Sequence, residues 1–244
     1  AARLGISSLV IGLTIVAYGT SSPELAVSAN AVLGGQPDIA LGNVVGSNIF
    51  NVLFILGLAS LLCPLQVSAQ LVRVDVPTMV GVSAALLFMS LDGTLGRLDG
   101  ILLLAGMAAY TFLVIHLGRK AGSLERKDLE LKPQGKTEKT AALKVLVWNI
   151  FLCLAGLGTL IWGAGLFVDA AIQIARSFGI SELVIALTIV AAGTSMPEVA
   201  TSIMASLRKE RDIAVGNVVG SNIFNILGIL GVSALLAGEK GLAV

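Results

Sequence analysis

The segment Gly19–Asn51, GTSSPELAVSANAVLGGQPDIALGNVVGSNIFN, occurs twice in this chain, because Gly193–Asn225, GTSMPEVATSIMASLRKERDIAVGNVVGSNIFN, repeats it 174 residues later. The match extends without gaps over Gly5–Gly57 and Gly179–Gly231, with about 37 of 53 positions identical. Self-similarity of this extent indicates a duplicated structural unit, and it sets the architecture before any other feature is considered. We therefore expect the two segments to fold alike.

The composition is that of a membrane protein. Hydrophobic residues make up 56% and charged residues 13% of the chain, against roughly 45–50% and about 25% in ordinary globular proteins. Of the 31 charged side chains, 12 fall within Arg119–Lys144, so the other residues carry too few charges to form a water-facing surface. The net charge is +1, and basic residues cluster only in the Arg119–Lys144 segment and at Arg208–Arg211, so we expect no nucleic-acid partner.

Seven apolar stretches are long enough to cross a bilayer, which takes about 20 residues. They run continuously, whereas the strands of membrane barrels alternate apolar with polar residues, so we predict helices and an all-α integral membrane protein. The predicted spans are Leu4–Leu33, Ile39–Leu62, Leu71–Met89, Leu98–Leu117, Ala141–Ala175, Ile180–Leu207 and Ile213–Ala237.

The distribution of Lys and Arg predicts the orientation. Thirteen of these 16 residues lie on one side of the predicted spans, and cytoplasmic loops carry such an excess. We therefore expect a multi-pass protein of the cell (inner) membrane, with the start of the chain and the loop 119–140 in the cytoplasm. Because this loop interleaves both charge signs, we predict a solvated linker there.

The position of the repeats predicts that they are inverted. The first copy begins on span one and the second on span six, five crossings later, so the copies enter the membrane from opposite faces. Residues 1–118 and 141–244 then form two halves joined by the loop 119–140. A span precedes the second copy but none precedes Ala1, and two spans follow only the first copy. We expect seven helices of a ten-helix, inverted-repeat fold, which is typical of secondary transporters.

Both repeats contain a proline inside a long apolar run. Pro23 and Pro197 remove an amide donor and clash with the carbonyl four residues earlier, which bends a helix. The freed carbonyls belong to Gly19 and Gly193, and backbone oxygen at membrane depth requires a partner such as protein, water or a cation.

Oxygen-bearing side chains cluster around these prolines. Thr20 and Ser21 precede Glu24 by four and three residues, the spacing of one helix face, and the second copy repeats the pattern. The neighbouring spans add Ser47 and Asn51 at four-residue spacing. The second-copy equivalents are Thr194, Ser195, Glu198, Ser221 and Asn225. These are hard oxygen donors without His, Cys or Met, which favours calcium, magnesium or alkali cations over zinc, copper or iron.

The two glutamates predict how a cation is carried. An ionised carboxylate at the bilayer centre costs several kcal/mol, so Glu24 and Glu198 require compensation. One calcium, two sodium ions or two protons would neutralise them. An empty, doubly negative site resists crossing the barrier between access states, which favours exchange over leak.

Other polar and small residues receive supporting roles. Asp169 is taken as the remaining acid within a span. Because it lies near the non-cytoplasmic helix end, we predict a role at the helix end or on the access path rather than in the central site. His116 is taken as incidental. Four glycines are predicted to allow close helix packing: Gly42, Gly46, Gly216 and Gly220. Four asparagines are predicted to hydrogen-bond across helices or to hold freed carbonyls: Asn43, Asn48, Asn217 and Asn222.

The motifs GTSSPE and GTSMPE, each followed by GNVVGSNIFN, resemble the two alpha repeats of the calcium/cation antiporter superfamily, particularly its bacterial sodium/calcium exchanger-like members. The resemblance covers roughly half the chain. It implies a ten-helix inverted-repeat fold, Ca2+ and Na+ as transported ions, no further cofactor, and alternating access in which two peripheral helices slide past a core. Its ligand positions fall on the ten side chains named above. Many relatives have aspartate where Asn225 stands.

Several functional alternatives remain open from the sequence. A proton- or potassium-coupled exchanger is the nearest, since buried glutamates also bind protons. A transport-inactive fragment of an exchanger is another. A cation channel or passive scaffold would also have polar helices, but the interrupted helices and the acid pair argue against it. No nucleophile and base set supports an enzyme.

Overall fold

A computed structural model describes residues 7–65, 67–129, 139–180, 185–238 and 241–243. Within these ranges the chain forms nine helices and two short strands. The helices are α1 Ser8–Thr20, α2 Ser22–Leu33, α3 Pro37–Leu62, α4 Leu71–Asp92, α5 Arg97–Leu129, α6 Lys139–Ser177, α7 185–194, α8 Met196–Leu207 and α9 Arg211–Leu236. The strands are β1 Thr94–Leu95 and β2 Leu242–Ala243.

Most of the predicted spans are present. Five helices are long and apolar enough to cross a membrane (α3, the membrane parts of α5 and α6, α4 and α9), and the bent pair α1–α2 adds a sixth. These six correspond to six of the seven predicted spans. The remaining one, Ile180–Leu207, begins over residues 181–184, which lie outside the described part, and continues as α7 and α8.

The proline-containing spans are broken as predicted. The axes of α1 and α2 differ by 43°, and Pro23 lies in the first turn of α2, where a missing amide hydrogen costs no helical hydrogen bond. Ser21 at the break has φ −82° and ψ 10°. Ser195, between α7 and α8, has φ −81° and ψ 5°, so both copies break at the same residue with the same backbone conformation.

The predicted linker is more helical than expected. α5 continues to Leu129 and α6 begins at Lys139, while residues 130–138 lie outside the described part of the chain. Leu, Glu, Arg, Lys and Ala are strong helix formers, and they dominate the segment after Gly118. The charge pattern alone therefore gave the wrong local structure for residues 119–129.

α9 is the central helix. In its most apolar stretch 83% of the residues are buried, against 28% in α3, the equivalent helix of the first copy. Gly216 and Gly220 allow α1 to approach, since a Cβ at Gly220 would lie 2.5 Å from the carbonyl oxygen of Leu13. This close approach confirms the predicted packing role for these two glycines.

Both copies contain π-helical turns that the sequence did not predict. Asn51–Ile55 in α3 and Asn225–Leu230 in α9 are π-helical and begin at equivalent asparagines. Gly12–Val16 and Ile185–Val190 are a second such pair. A π turn often marks a functional site, because it redirects side chains within a helix.

The two strands join the α4–α5 connection to the end of the chain. They pair antiparallel, with Thr94 opposite Ala243 and Leu95 opposite Leu242. Both segments belong to the side of the membrane that the charge count assigns as non-cytoplasmic. The pairing therefore ties residues 242–243 to the connection between α4 and α5.

Candidate cation site

Ten predicted ligand side chains converge at the crossing of the two repeats. α1, α2 and α3 supply one set, and α7, α8 and α9 supply the other. All ten are buried, with nine at 0% exposure: Thr20, Ser21, Glu24, Ser47, Asn51, Thr194, Ser195, Glu198, Ser221 and Asn225. Of the two predicted backbone ligands, Gly193 is buried and Gly19 is half-buried.

The glutamates are connected reciprocally across the repeats. The Ser21 hydroxyl donates to Glu198 Oε1 at 2.7 Å, and the Ser195 hydroxyl donates to Glu24 Oε1 at 2.9 Å. Ser221 on α9 is a further donor to Glu198 Oε1, at 3.3 Å. Each glutamate is therefore held by the serine at the other repeat's helix break.

A second layer of hydrogen bonds is duplicated in the same way. Thr20 Oγ1 donates to Asn217 Oδ1 at 3.2 Å, and Thr194 Oγ1 donates to Asn43 Oδ1 at 3.3 Å. Asn43 Nδ2 donates in turn to the backbone oxygen of Glu24 at 3.3 Å. These contacts confirm that the asparagines hold backbone carbonyls and link helices, as predicted.

The two asparagines among the predicted ligands, Asn51 and Asn225, are held by amide hydrogen bonds to the other repeat. Asn51 Nδ2 donates to Asn222 Oδ1 at 3.0 Å, and Asn225 Nδ2 donates to Asn48 Oδ1 at 2.9 Å. Asn48 and Asn222 each donate their own Nδ2 to the other's backbone oxygen, at 3.1 and 3.3 Å. The side-chain oxygens of Asn48 and Asn222 therefore act as acceptors, and the NH2 groups of Asn51 and Asn225 act as donors to them.

Among the described residues, six buried side-chain oxygens have no hydrogen-bond partner. Two of them are the hydroxyls of Ser206 and Ser233, which are not predicted ligands. The other four form two pairs related by the repeat, Glu24 Oε2 with Glu198 Oε2 and Asn51 Oδ1 with Asn225 Oδ1. A buried polar atom normally has a partner, and an unpaired buried carboxylate oxygen is especially costly. We call these four oxygens the cage.

The chemistry of the cage suits a hard cation. Carboxylate and amide oxygens are the ligands preferred by Ca2+ and by alkali cations. The described residues include no group of three or more His, Cys, Asp or Glu side chains placed to hold a metal ion. The negative charge available to a cation in the cage therefore comes from the two glutamates alone, and the amide oxygens are neutral.

The backbone contacts differ in detail from the sequence prediction. Ser47 Oγ on α3 donates to the carbonyl of Ala191 at 3.3 Å. Ser221 Oγ on α9 lies 3.5 Å from the carbonyl of Ala17, which is the alternative acceptor to Glu198 Oε1 for its one hydrogen. These carbonyls lie two residues before Gly19 and Gly193. Ser47 thus satisfies backbone oxygen beside one helix break, while the role of Gly19 and Gly193 as ligands stays a prediction.

A third buried acid, Asp75, was missed. It is 0% exposed in α4 and accepts hydrogen bonds from Tyr110 at 3.1 Å and Gln70 at 3.4 Å. Asp169 does lie within a span, as predicted, but it is not the one remaining acid there. Asp169 is exposed on α6. The position of Asp75 inside a predicted span was the available signal.

His116 has the incidental character that the sequence analysis assigned to it. Its side chain is exposed near the end of the membrane part of α5. The imidazole stacks on Phe112, with ring centroids 6.2 Å apart. It does not belong to the cage.

Fold and cage together define an inverted-repeat membrane antiporter, in which two interrupted helix pairs meet at a buried oxygen site. The family model described as "Sodium/calcium exchanger protein" matches residues 1–116 and 148–243, so the chain belongs to this family of transporters.

Individual relatives match over nearly the whole chain. Inner membrane protein YrbG of Escherichia coli is 41% identical over 237 residues, which cover 95% of this chain and 70% of YrbG. Sodium/calcium exchanger MaX1 of Methanosarcina acetivorans is 35% identical over 264 residues, which cover 96% of this chain and 75% of MaX1.

The fold also matches a solved structure. The sodium-calcium exchanger NCX_Mj, soaked with 2.5 mM Na+ and 0.1 mM Ca2+, superposes with a TM-score of 0.80 and 33% identity. The match covers 99% of this chain and 74% of that chain. The protein is accordingly a multi-pass membrane transporter and not an enzyme.

Proposed function

We propose that this protein exchanges Ca2+ for Na+ across the membrane by alternating access, with Glu24 and Glu198 at its central site. The observation that carries the proposal is the cage, in which four buried oxygens from both repeats lack partners. In this proposal, bound cations supply the partners that these oxygens lack. Two relatives named as sodium/calcium exchangers support the choice of ions.

The ligand set of the proposal comprises the ten buried side chains and the two glycine carbonyls of the sequence analysis. The cage oxygens contact the ion directly. Ser21 and Ser195 orient the glutamates by donating to their other oxygens, at 2.7 and 2.9 Å. Each helix break thus places one repeat's hydroxyl against the other repeat's acid.

Alternating access is supported by the loose packing of α6. Ala164 and Ala175 are the buried hydrophobic residues among its described side chains, whereas Trp162 is 69% exposed. A Cβ at Gly156 or Gly163 would meet nothing within 4 Å. Weak burial lets a helix shift against its neighbours at low cost, and we assign α6 to the moving part.

The orientation of the chain in the membrane and its division into two inverted halves are part of the same proposal. We assign the start of the chain and residues 119–140 to the cytoplasm of the inner membrane, and residues 1–118 and 141–244 to the two inverted halves. Arg208, Lys209 and Arg211, between α8 and α9, then face the cytoplasm. Their counterparts in the first copy are Gly34, Gly35 and Pro37, as the positive-inside rule requires of inverted copies.

Calcium uptake into proteoliposomes tests the proposal. Uptake is measured with an outward sodium gradient, with a proton gradient, and with no counter-gradient. We expect sodium to drive uptake, and Glu24→Gln or Glu198→Gln to reduce it to background, because each removes half of the charge that holds Ca2+. Asp38→Asn is the matched control, since it makes the same acid-to-amide change at an exposed position in the first turn of α3, outside the cage and outside α6.

Three results would contradict the proposal. Uptake driven by protons alone would favour the proton-coupled alternative. Equal uptake without any counter-cation would indicate a channel. Full activity in both glutamate variants would place the cation elsewhere.

A further inference from the structure

We propose that Asn48 and Asn222 are positioning residues of the cation site. Each determines which end of a cage amide in the other repeat faces the cage. Asn222 acts on Asn51, and Asn48 acts on Asn225. The inference rests on the proposed function, because a bound cation is the group that distinguishes the two ends of an amide.

An asparagine amide has two ends of nearly equal shape and opposite polarity. Its carbonyl oxygen accepts hydrogen bonds and attracts a cation, whereas its NH2 group donates and repels one. A half-turn about the Cβ–Cγ bond exchanges the two ends with little change in shape. An asparagine therefore presents oxygen to a cation consistently only where a neighbour fixes its orientation.

The orientation of Asn51 is fixed by Asn222. Asn51 Nδ2 donates to Asn222 Oδ1 at 3.0 Å, and the other end of the same amide, Asn51 Oδ1, is a cage oxygen. A half-turn of Asn51 would place its oxygen against Asn222 Oδ1, so that two acceptors would face each other with no hydrogen between them. The same half-turn would direct the NH2 group into the cage. The oxygen of Asn222 thus selects the orientation that suits a cation.

Asn222 is fixed in turn by backbone. Its Nδ2 donates to the backbone oxygen of Asn48 at 3.3 Å and to Met79 Sδ at 3.6 Å. A backbone oxygen can only accept, so a half-turn of Asn222 would again oppose two acceptors. In the other direction, Asn48 Nδ2 donates to the backbone oxygen of Asn222 at 3.1 Å, and Asn48 Oδ1 accepts from Asn225 Nδ2 at 2.9 Å. Both cage amides are therefore oriented by groups that cannot exchange their polarity.

The size of the effect is bounded on both sides. Removing a partner that orients a metal ligand typically weakens metal binding by about 10- to 100-fold. A cage amide without its partner can still turn its oxygen toward the cation. We therefore expect loss of Asn222 to weaken Ca2+ binding by no more than Asn51→Ala, which removes the cage amide itself.

Asn222→Leu tests the first of these contacts, because leucine keeps the branched shape of asparagine and removes its donor and its acceptor. An apolar groove of about 580 Å3 between α3 and α4 borders both Asn48 and Asn222, and it leaves room for the leucine side chain. Ca2+ affinity is measured by calorimetry on the purified protein in detergent. We expect a loss of about 10- to 100-fold. Asn30→Leu is the matched control with unchanged affinity, since it makes the same change at an exposed position on α2.

Double variants distinguish a positioning role from a merely structural one. Asn222→Leu is combined with Asn51→Ala and, separately, with Asn225→Ala. If Asn222 acts through Asn51, its substitution changes the affinity by less than about twofold once Asn51 is removed, and by its full factor once Asn225 is removed. Asn48→Leu should show the reverse pattern. A structural role would weaken binding equally in both backgrounds.

The possible outcomes separate the inference from the proposed function. Equal losses in the two backgrounds, or unchanged affinity in both leucine variants, would overturn the inference and leave sodium/calcium exchange intact. Absence of Ca2+ binding by the unchanged protein would overturn the proposed function, and the inference with it. Thermal unfolding in detergent identifies any leucine variant that does not fold. Alanine then replaces leucine at that position, and we expect the same pattern of coupling.

Discussion

Gly220→Ala tests whether the contact between α1 and α9 sets the geometry of the cation site. The added Cβ would lie 2.5 Å from the Leu13 carbonyl oxygen and 2.9 Å from the Ala17 Cβ. Ordinary contact begins near 3.4 Å, so α1 has to retreat by about 0.9 Å for the methyl group to fit. The obstacle is helix backbone, which cannot rotate away as a side chain can.

The expected cost follows from this displacement. Overpacking of this kind typically costs about 1–3 kcal/mol. The hydrogen bond from Thr20 to Asn217, now 3.2 Å, would lengthen to about 4 Å and be lost. Because Asn217 also holds the Glu198 backbone oxygen, we expect weaker Ca2+ binding, by about 3- to 10-fold for a lost bond of about 1 kcal/mol.

Gly57→Ala is the matched control. Its Cβ would meet nothing within 4 Å, and it lies in α3. Both substitutions gain the same helix propensity, about 0.8–1.0 kcal/mol, so the difference between them isolates the steric cost. Thermal unfolding in detergent and Ca2+ calorimetry measure the two effects. Equal stability of the two variants would refute the packing argument.

Two further substitutions address features outside the cage. Tyr110→Phe leaves a buried oxygen of Asp75 without its donor, so we expect a loss of about 1–3 kcal/mol in thermal unfolding. The Ca2+ affinity should stay unchanged, and a parallel loss would mean that Asp75 acts on the cage. Lys209 has φ 63° where its repeat equivalent Gly35 has φ 76°. Lys209→Gly should therefore raise the free energy of unfolding by about 1 kcal/mol, and Gly35→Ala should lower it. Both changes are measured by thermal unfolding in detergent. A loss of stability in the first variant and a gain in the second would contradict the strain argument.

The sequence was sufficient to predict six of the spans, the inverted repeat and the gathering of ten oxygen-bearing side chains in one buried place; their role as ligands stays a prediction. Continuous apolar runs are themselves the signal for membrane helices. Because the two copies are so similar, each feature predicted in one copy was also expected at the equivalent position of the other. The helix breaks were also predictable, because Pro23 and Pro197 act on their own backbone. The helical structure of residues 119–129 was not predictable, since their interleaved charges fit a solvated helix as well as a loop.

Pairing within the site was beyond the sequence. Three-residue spacing places Ser21 on the same helix face as its own Glu24, yet the structure joins it to Glu198. The break at Ser21 turns its hydroxyl away from α2 and toward the other repeat. Local periodicity describes an unbroken helix, so it cannot tell which of two identical acids a serine will meet.

By itself the sequence determined what the molecule is made of: membrane helices, twin segments of opposite direction, and hard oxygen ligands with two acids. These properties reside in residue types and in short-range spacing. The tertiary structure alone decided that four oxygens remain without partners, that asparagine amides fix two of them, and that Asp75 is buried against Tyr110. Each of these depends on contacts between distant segments, whose energies arise only when the two repeats pack together.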